Sequence, residues 1–205
     1  MDVFIVPLIK NRNGDISSKN NYRPIAISCI ISKIFERIIL YRCQNCLDVS
    51  DNQFAFRKSL STETCIYVLK QTIFDYTTSK TPVFACFMDP RKAFDRINNN
   101  ILLKILKERN VPFFILNILS FGFLVKDFML SVKIFYLIFF IPTCGLRQGS
   151  LISPLFFNVY LDELSKVLNN SGIGCYMGSK LINHLCYADD TVLLSPSLKS
   201  LQKLV

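Results

Sequence analysis

The sequence predicts an α+β fold, a sheet backed by helices, and three observations lead there. Residues 83–88 are a compact apolar run, the signature of a buried strand, and end at Asp89. Residues 185–194 are two short apolar arms around Asp189-Asp190, the pattern of a β-hairpin with acids at its tip. Segments with apolar residues at helical spacing precede and separate these pieces. With 205 residues, 51% hydrophobic and 19% charged, the chain suits one domain with a sizeable core and is not disordered.

Residues 3–9 read as a strand running into the polar turn Lys10-Asn11-Arg12-Asn13-Gly14. A second extended piece carries Tyr22-Arg23-Pro24-Ile25, where Pro24 disfavours helix at Arg23. Ile31, Ile34, Phe35, Ile38 and Ile39 predict an amphipathic helix over residues 32–46. Ser61 can cap a further helix, with Glu63 in its first turn and Ile66, Leu69 and Ile73 on one face. Asn98 or Asn99 can cap another that holds Ile101, Leu102, Ile105 and Leu106. Ser153-Pro154 offers a capping hydroxyl followed by proline at the first helical position. That helix presents Phe157, Leu161, Leu164 and Leu168 on one stripe.

Several function classes fall away on composition. Eight cysteines lie scattered in mostly apolar runs, where a reduced thiol packs as a small hydrophobe, so no disulfide scaffold is expected. Cys43 and Cys46 have no second ligand pair beside them and His184 is the single histidine, which argues against structural zinc. The first eight residues lack the basic start and cleavage site of a signal peptide. Residues 113–124 and 134–142 are greasy, but Lys126, Asp127 and Lys133 break them well short of the ~20 residues that span a bilayer. We read them as buried core, with no stable membrane insertion and an intracellular protein of the cytoplasm, the nucleus or both. The net charge of +9 suits a polyanionic partner, nucleic acid or an anionic membrane surface, though a basic soluble protein would show it too.

The acids are where chemistry is expected. Asp89 ends one apolar run, and Asp189 and Asp190 sit inside another. Carboxylates at the ends of buried strands are poorly solvated, and adjacent anions repel; a divalent cation relieves both costs. Mg²⁺ takes hard oxygen ligands, usually one or two carboxylates plus substrate phosphates. An ordinary polar turn at Asp189-Asp190 is the plainer alternative. Gly145-Leu146-Arg147-Gln148-Gly149-Ser150 can bring backbone close to a ligand, with basic and amide side chains for phosphate or base edges, or it can be a flexible loop.

The order of these pieces carries a resemblance. Residues 87–95, Phe-Met-Asp-Pro-Arg-Lys-Ala-Phe-Asp, resemble motif A of reverse transcriptases. Gly145-Leu146-Arg147-Gln148-Gly149 with Ser153-Pro154-Leu155-Phe156-Phe157-Asn158 resembles motif B, and Tyr187-Ala188-Asp189-Asp190 motif C. Ile5-Val6-Pro7-Leu8-Ile9-Lys10 with Asn21-Tyr22-Arg23-Pro24-Ile25, and Gln53-Phe54-Ala55-Phe56-Arg57-Lys58 with Ser61-Thr62-Glu63, are similar to fingers blocks of LINE-type (non-LTR) retrotransposon enzymes.

That resemblance implies a right-hand polymerase: a fingers-like part over residues 1–82, then an antiparallel palm sheet backed by helices over 83–205. It implies an RNA-directed DNA polymerase that uses an RNA template, a DNA primer, deoxynucleoside triphosphates and two Mg²⁺ ions, with Mn²⁺ as a possible substitute. Asp89, Asp189 and Asp190 match the metal-binding triad, with the Pro90 carbonyl as an extra ligand. Lys10 and Arg23 match residues that hold the triphosphate. Phe94 matches the aromatic gate under the incoming sugar, although it could equally be core. Gln148 and Gly149 match positions near nucleotide and template, and Arg57 and Lys58 match template contacts. The chain ends soon after motif C and has no tryptophan in its apolar 121–143 segment, unlike its relatives. The expectation is therefore a partial polymerase, without the thumb and without a preceding endonuclease. The alternative is a catalytically silent, nucleic-acid-binding remnant of a decayed element.

Overall fold

The structure is a computed structural model that describes residues 3–124, 128–132, 136–140, 144–147 and 149–205. Its strands are β1 (Val3–Ile9), β2 (Tyr22–Ile27), β3 (Phe84–Met88), β4 (Phe128–Val132), β5 (Tyr136–Phe140), β6 (Cys175–Met177), β7 (Lys180–Ile182), β8 (His184–Tyr187) and β9 (Asp190–Ser195). Its α-helices are α1 (Ile30–Cys43), α2 (Thr62–Thr78), α3 (Asn99–Glu108), α4 (Phe113–Leu124), α5 (Ser153–Asn170) and α6 (Leu198–Leu204). The chain divides into two compact units: Met1–Leu47 with Phe94–Phe156, and Asp48–Ala93 with Phe157–Val205.

In the first unit a sheet runs in the order β2-β1-β4-β5. β1 and β2 pair antiparallel, with Leu8 opposite Arg23, and β4 joins the other edge of β1 in parallel. Asn21 closes the β1–β2 connection. Its side-chain amide donates to the Asn11 carbonyl at 2.9 Å, and its oxygen accepts the Asn11 N–H at 3.0 Å.

α1 starts two residues before the predicted helix and stops at Cys43, after which Gln44–Cys46 tighten into a 3-10 turn. It also turns a different face inward. Ser32, Ile39 and Cys43 are buried, whereas Ile31, Ile34, Phe35 and Ile38 are exposed. With 3.6 residues per turn, the isoleucine stripe lies about a quarter turn from the buried one. Asn98 caps α3 as predicted, its side chain accepting the N–H groups of Asn100 and Ile101. Leu102, Ile105 and Leu106 are buried on α3, which packs on α4. α4 is half core: Ile115 and Leu119 are buried, and Phe113 and Phe114 are exposed. The expected burial of residues 134–142 lies outside the described side chains; the Tyr136–Phe140 backbone is strand β5.

The second unit holds the sheet β3-β9-β8. Every residue of β9 after Asp190 is buried because helices cover both faces of this central strand. Alternate residues of a strand point to opposite faces, and two clusters divide accordingly. Leu193 packs with Leu168 of α5 and Leu201 and Leu204 of α6. Val192 and Leu194 pack with Leu185 and Phe54, under Cys65, Val68, Leu69 and Tyr76 of α2. The stripe predicted on α2 is thus rotated: Ile66 and Ile73 are exposed, and Cys65, Val68, Leu69 and the buried Thr72 face the sheet. The Ser61 cap holds, with its hydroxyl accepting the Thr64 N–H at 3.3 Å. β3 departs from prediction as well. It is an edge strand and not a buried one, with Phe87 75% exposed.

α5 differs at its start and along its stripe. The Ile152 carbonyl accepts the first helical bond, from Phe156 N–H at 3.0 Å, so Ser153 is the first helical residue and not the cap. Leu164 is exposed, while Asn158, Asp162 and Ser165 are buried. Polar groups occupy that face because they meet the backbone of the 50–55 loop. The Asp162 carboxylate accepts from the N–H and hydroxyl of Ser50, at 2.7 and 2.6 Å, and the Asn158 amide donates to the Ala55 carbonyl at 2.8 Å.

Candidate active site

The strand register brings the three acids to one end of the β3-β9-β8 sheet. Met88 of β3 pairs with Thr191 of β9, so Asp89 and Asp190 stand one step beyond that pair on neighbouring strands. On the other side Tyr187 pairs with Asp190, which leaves Ala188 and Asp189 as the two-residue hairpin loop. Residues directly opposite on antiparallel strands lie about 4.5–5.5 Å apart at Cα. The buried arms of β9, with Leu193 and Leu194 fully excluded from solvent, fix this register, because a one-residue slip would expose them.

Asp89 and Asp190 are exposed and Asp189 is half-buried, so solvation differs from the dry strand ends predicted. The ion pairs of this unit lie elsewhere, between Asp51 and Lys180 or Arg57, and between Lys166 and Asp162 or Glu163. Among the described residues no group of three acids, cysteines or histidines forms a ready-made metal cage. The donor chemistry nonetheless fits a hard dication. Such ions are held by one or two carboxylates together with waters and the substrate's own phosphates.

Behind the hairpin lies a buried polar network that the sequence reading did not single out. Ala188 is left-handed, with φ of 56°, which is uncommon for a residue bearing a Cβ. The buried Gln53 side chain accepts the Ala188 N–H at 3.0 Å and donates to the Ala188 carbonyl at 3.2 Å. One step down, the Asn52 amide donates to the His184 carbonyl at 2.8 Å. His184 itself is fully buried, and its Nδ1 lies 2.7 Å from Asn183 Oδ1. Because that oxygen accepts, Nδ1 carries the proton and Nε2 is a bare lone pair without a hydrogen-bond partner. Burial pushes the imidazole down to about pH 4, with the Asp162 charge pulling weakly the other way.

Similarity to known proteins decides what this arrangement belongs to. Residues 9–205 match the family reverse transcriptase (RNA-dependent DNA polymerase). The chain belongs to the reverse transcriptase family. It is 30% identical over 152 residues, 72% of its length, to "Probable RNA-directed DNA polymerase from transposon BS" of Drosophila melanogaster. It is 27% identical over 88% of its length to the Pol polyprotein of the type-1 retrotransposable element R2 of Nasonia vitripennis. Over 87% of its length it is 26% identical to the RNA-directed DNA polymerase from mobile element jockey of Drosophila melanogaster. It spans only 17–19% of these relatives' own length. Its fold is shared with apo telomerase from Candida tropicalis, at TM-score 0.67 and 12% identity, over 99% of this chain and 45% of that one.

The other residues assigned by resemblance to this reverse transcriptase chain are placed as follows. Lys10 and Arg23 belong to the first unit. Lys10 is exposed just past β1, its N–H donating to the Asn21 carbonyl at 2.8 Å, and Arg23 is exposed on β2. Phe94 is half-buried in the same unit, in a 3-10 turn over Ala93–Arg96. Gly149 is exposed with φ of 102°, and Gln148 lies outside the described residues. In the second unit Lys58 is exposed. Arg57 is half-buried and braces the loop before it, donating to the carbonyls of Ser50 and Gln53 at 3.2 and 3.3 Å.

Two further features hold the Gly145–Ser150 loop. Glu36 of α1 accepts the Ser150 hydroxyl at 2.9 Å and the Leu151 N–H at 2.7 Å. Gly145 and Leu146 donate to the carbonyls of Ile97 and Phe94 at 2.7 and 2.8 Å, which ties the loop to the Phe94 turn. Gly145 has φ of 89°, and a Cβ there would sit 2.9 Å from the Asp95 backbone. Gly145→Ala should therefore lower stability by about 2 kcal/mol or more, through overlap and an unfavourable φ. A urea unfolding midpoint unchanged from wild type would contradict this close approach.

Proposed function

We propose that this chain carries the nucleotide-adding centre of an RNA-directed DNA polymerase from a LINE-type retroelement. The observation that carries the reading is the register that sets Asp89 beside Asp190, next to Asp189, at one end of a mostly apolar sheet. Residues 1–82 serve as the fingers part and 83–205 as the palm part. Its partners are an RNA template, a DNA primer and deoxynucleoside triphosphates.

Asp89, Asp189 and Asp190, with the Pro90 carbonyl, would hold two Mg²⁺ ions, for which Mn²⁺ could substitute. Bound metal would supply Lewis acidity at the reacting phosphate. The primer 3′-hydroxyl attacks the α-phosphorus, a P–O bond forms there, and the bond to pyrophosphate breaks. Lys10 and Arg23 neutralise triphosphate charge, since phosphoryl transfer depends on positioning and electrostatics more than on covalent chemistry. Phe94 packs under the sugar and excludes a ribose 2′-hydroxyl, because an aromatic ring is stiff and cannot yield. Gln148 and Gly149 adjoin the nucleotide and template. Lys58, with Arg57 behind it, meets template backbone.

Primer extension on an RNA template tests the reading. The 205 residues should add deoxynucleotides to a primer on an RNA template. Tight primer–template binding with no nucleotide added would mean a nucleic-acid-binding remnant instead.

A further inference from the structure

We propose that Gln53 is a positioning residue for the acidic hairpin: its side-chain amide locks Ala188 and so sets where the Asp189 and Asp190 carboxylates stand. The inference rests on reading that hairpin as the metal-holding end of a polymerase centre.

The β3–β9 ladder stops at Thr191, and the β8–β9 ladder secures the hairpin arms as far as Tyr187 and Asp190. The loop between them has no ladder partner, yet it carries Asp189. Gln53 reaches this loop. Its Oε1 accepts the N–H groups of Ala188 and Ala55, each at 3.0 Å, and its Nε2 donates to the Ala188 carbonyl at 3.2 Å. The Ala188 N–H and carbonyl belong to the peptide planes on either side of that residue. A single planar amide therefore spans both planes and pins the φ and ψ of a left-handed alanine that would otherwise relax. An amide side chain offers an acceptor and two donors at one end, in one uncharged plane.

The clamp is itself well founded. Gln53 is 3% exposed and forms a parallel bridge with Cys186. Phe54 N–H donates to the Cys186 carbonyl at 2.9 Å, and Cys186 N–H donates to the Asn52 carbonyl at 2.8 Å. Arg57 braces the same stretch through the carbonyls of Ser50 and Gln53. The segment behaves as a short added strand beside β8, from which one side chain extends to the tip. Partners that orient metal-holding groups in this way typically matter about 10–100-fold in metal affinity or activity.

The test uses Gln53→Met, which keeps the length of the side chain and removes every hydrogen bond, in the full 205-residue chain. Three readouts are taken: hydrogen exchange at the Ala188 and Leu193 amides, Mn²⁺ affinity by electron paramagnetic resonance, and thermal midpoint. The expected result is Ala188 exchange faster by about tenfold or more, as loss of a local lock predicts, and Mn²⁺ binding weaker by about 10–100-fold. The midpoint should fall by a few degrees, because the buried Ala55 N–H loses its acceptor, and Leu193 exchange should change far less than Ala188 exchange. Unchanged Ala188 exchange, or equal acceleration at Ala188 and Leu193, would overturn the clamp. If Mn²⁺ binding is unchanged while Ala188 alone opens, the positioning role fails and the polymerase reading stands. If wild type binds no Mn²⁺ even with primer, RNA template and deoxynucleoside triphosphate present, while Ala188 opens only in the variant, the clamp stands and the polymerase reading fails. Should Gln53→Met not fold, Gln53→Glu decides. Its carboxylate still accepts from Ala188 and Ala55 but cannot donate to the Ala188 carbonyl, so Ala188 exchange should rise while Leu193 exchange stays close to wild type, and unchanged Ala188 exchange would overturn the clamp.

Discussion

Asp189→Asn should reduce templated nucleotide addition by about a thousandfold or more, while primer–template binding and thermal stability stay near wild type. Asparagine keeps the shape and loses the charge. Asp189 sits in the hairpin loop, outside both strand ladders, so the fold has little need of its carboxylate. Metal-assisted transition states are stabilised by several kcal/mol, and about 1.4 kcal/mol corresponds to each tenfold in rate. Asp89→Asn should behave alike, because its position beside Asp190 makes it part of the same donor set. Single-turnover rates on an RNA template measure both. Wild-type rates from either variant would remove the acids from the chemistry.

Acid should loosen the base of the same hairpin. His184 is fully buried, and burial holds its imidazole down from an ordinary 6.5 to about 4. In the unfolded chain the ring takes up a proton near pH 6.5, whereas in the folded protein that proton would land on Nε2, buried without a partner. The unfolded state thus binds more protons between those two values, and stability rises with pH across that window. The contribution is complete above pH 6.5 and is lost as pH falls towards 4, up to about 3 kcal/mol in all. Denaturant midpoints at pH 7 and 4.5 measure it. The drop should shrink by most of that amount in His184→Gln, which cannot titrate. Parallel drops in wild type and variant would contradict the assignment to His184.

Much of the candidate site is legible in the sequence because it is written in local terms. An apolar run ending in Asp89 and a hairpin carrying Asp189-Asp190 are each short, and their pairing follows from the burial of Leu193 and Leu194. The caps at Ser61 and Asn98 are equally local. What escapes is whatever depends on a distant partner. The inward faces of α1 and α2 escape because their isoleucines look like a core stripe, while Cys65, Val68 and Leu69 on α2 are the residues that pack against the sheet. Asp162 and Asn158 look like surface residues and prove to be buried, since their partners lie about a hundred residues away in the 50–55 loop. Gln53 was visible only as part of a motif. Its contact with Ala188 spans 135 residues, and no periodicity encodes it.

Diffraction from crystals of the protein with primer, RNA template, an unreactive nucleotide and Mn²⁺ is the most direct test. Carboxylate oxygens of Asp89 and of the Asp189-Asp190 pair are predicted to share anomalous Mn²⁺ peaks at about 2 Å, beside the triphosphate. Peaks bound elsewhere, with the Asp89 carboxylate more than ~10 Å from the other two, far beyond the spacing of opposed strand residues, would contradict it.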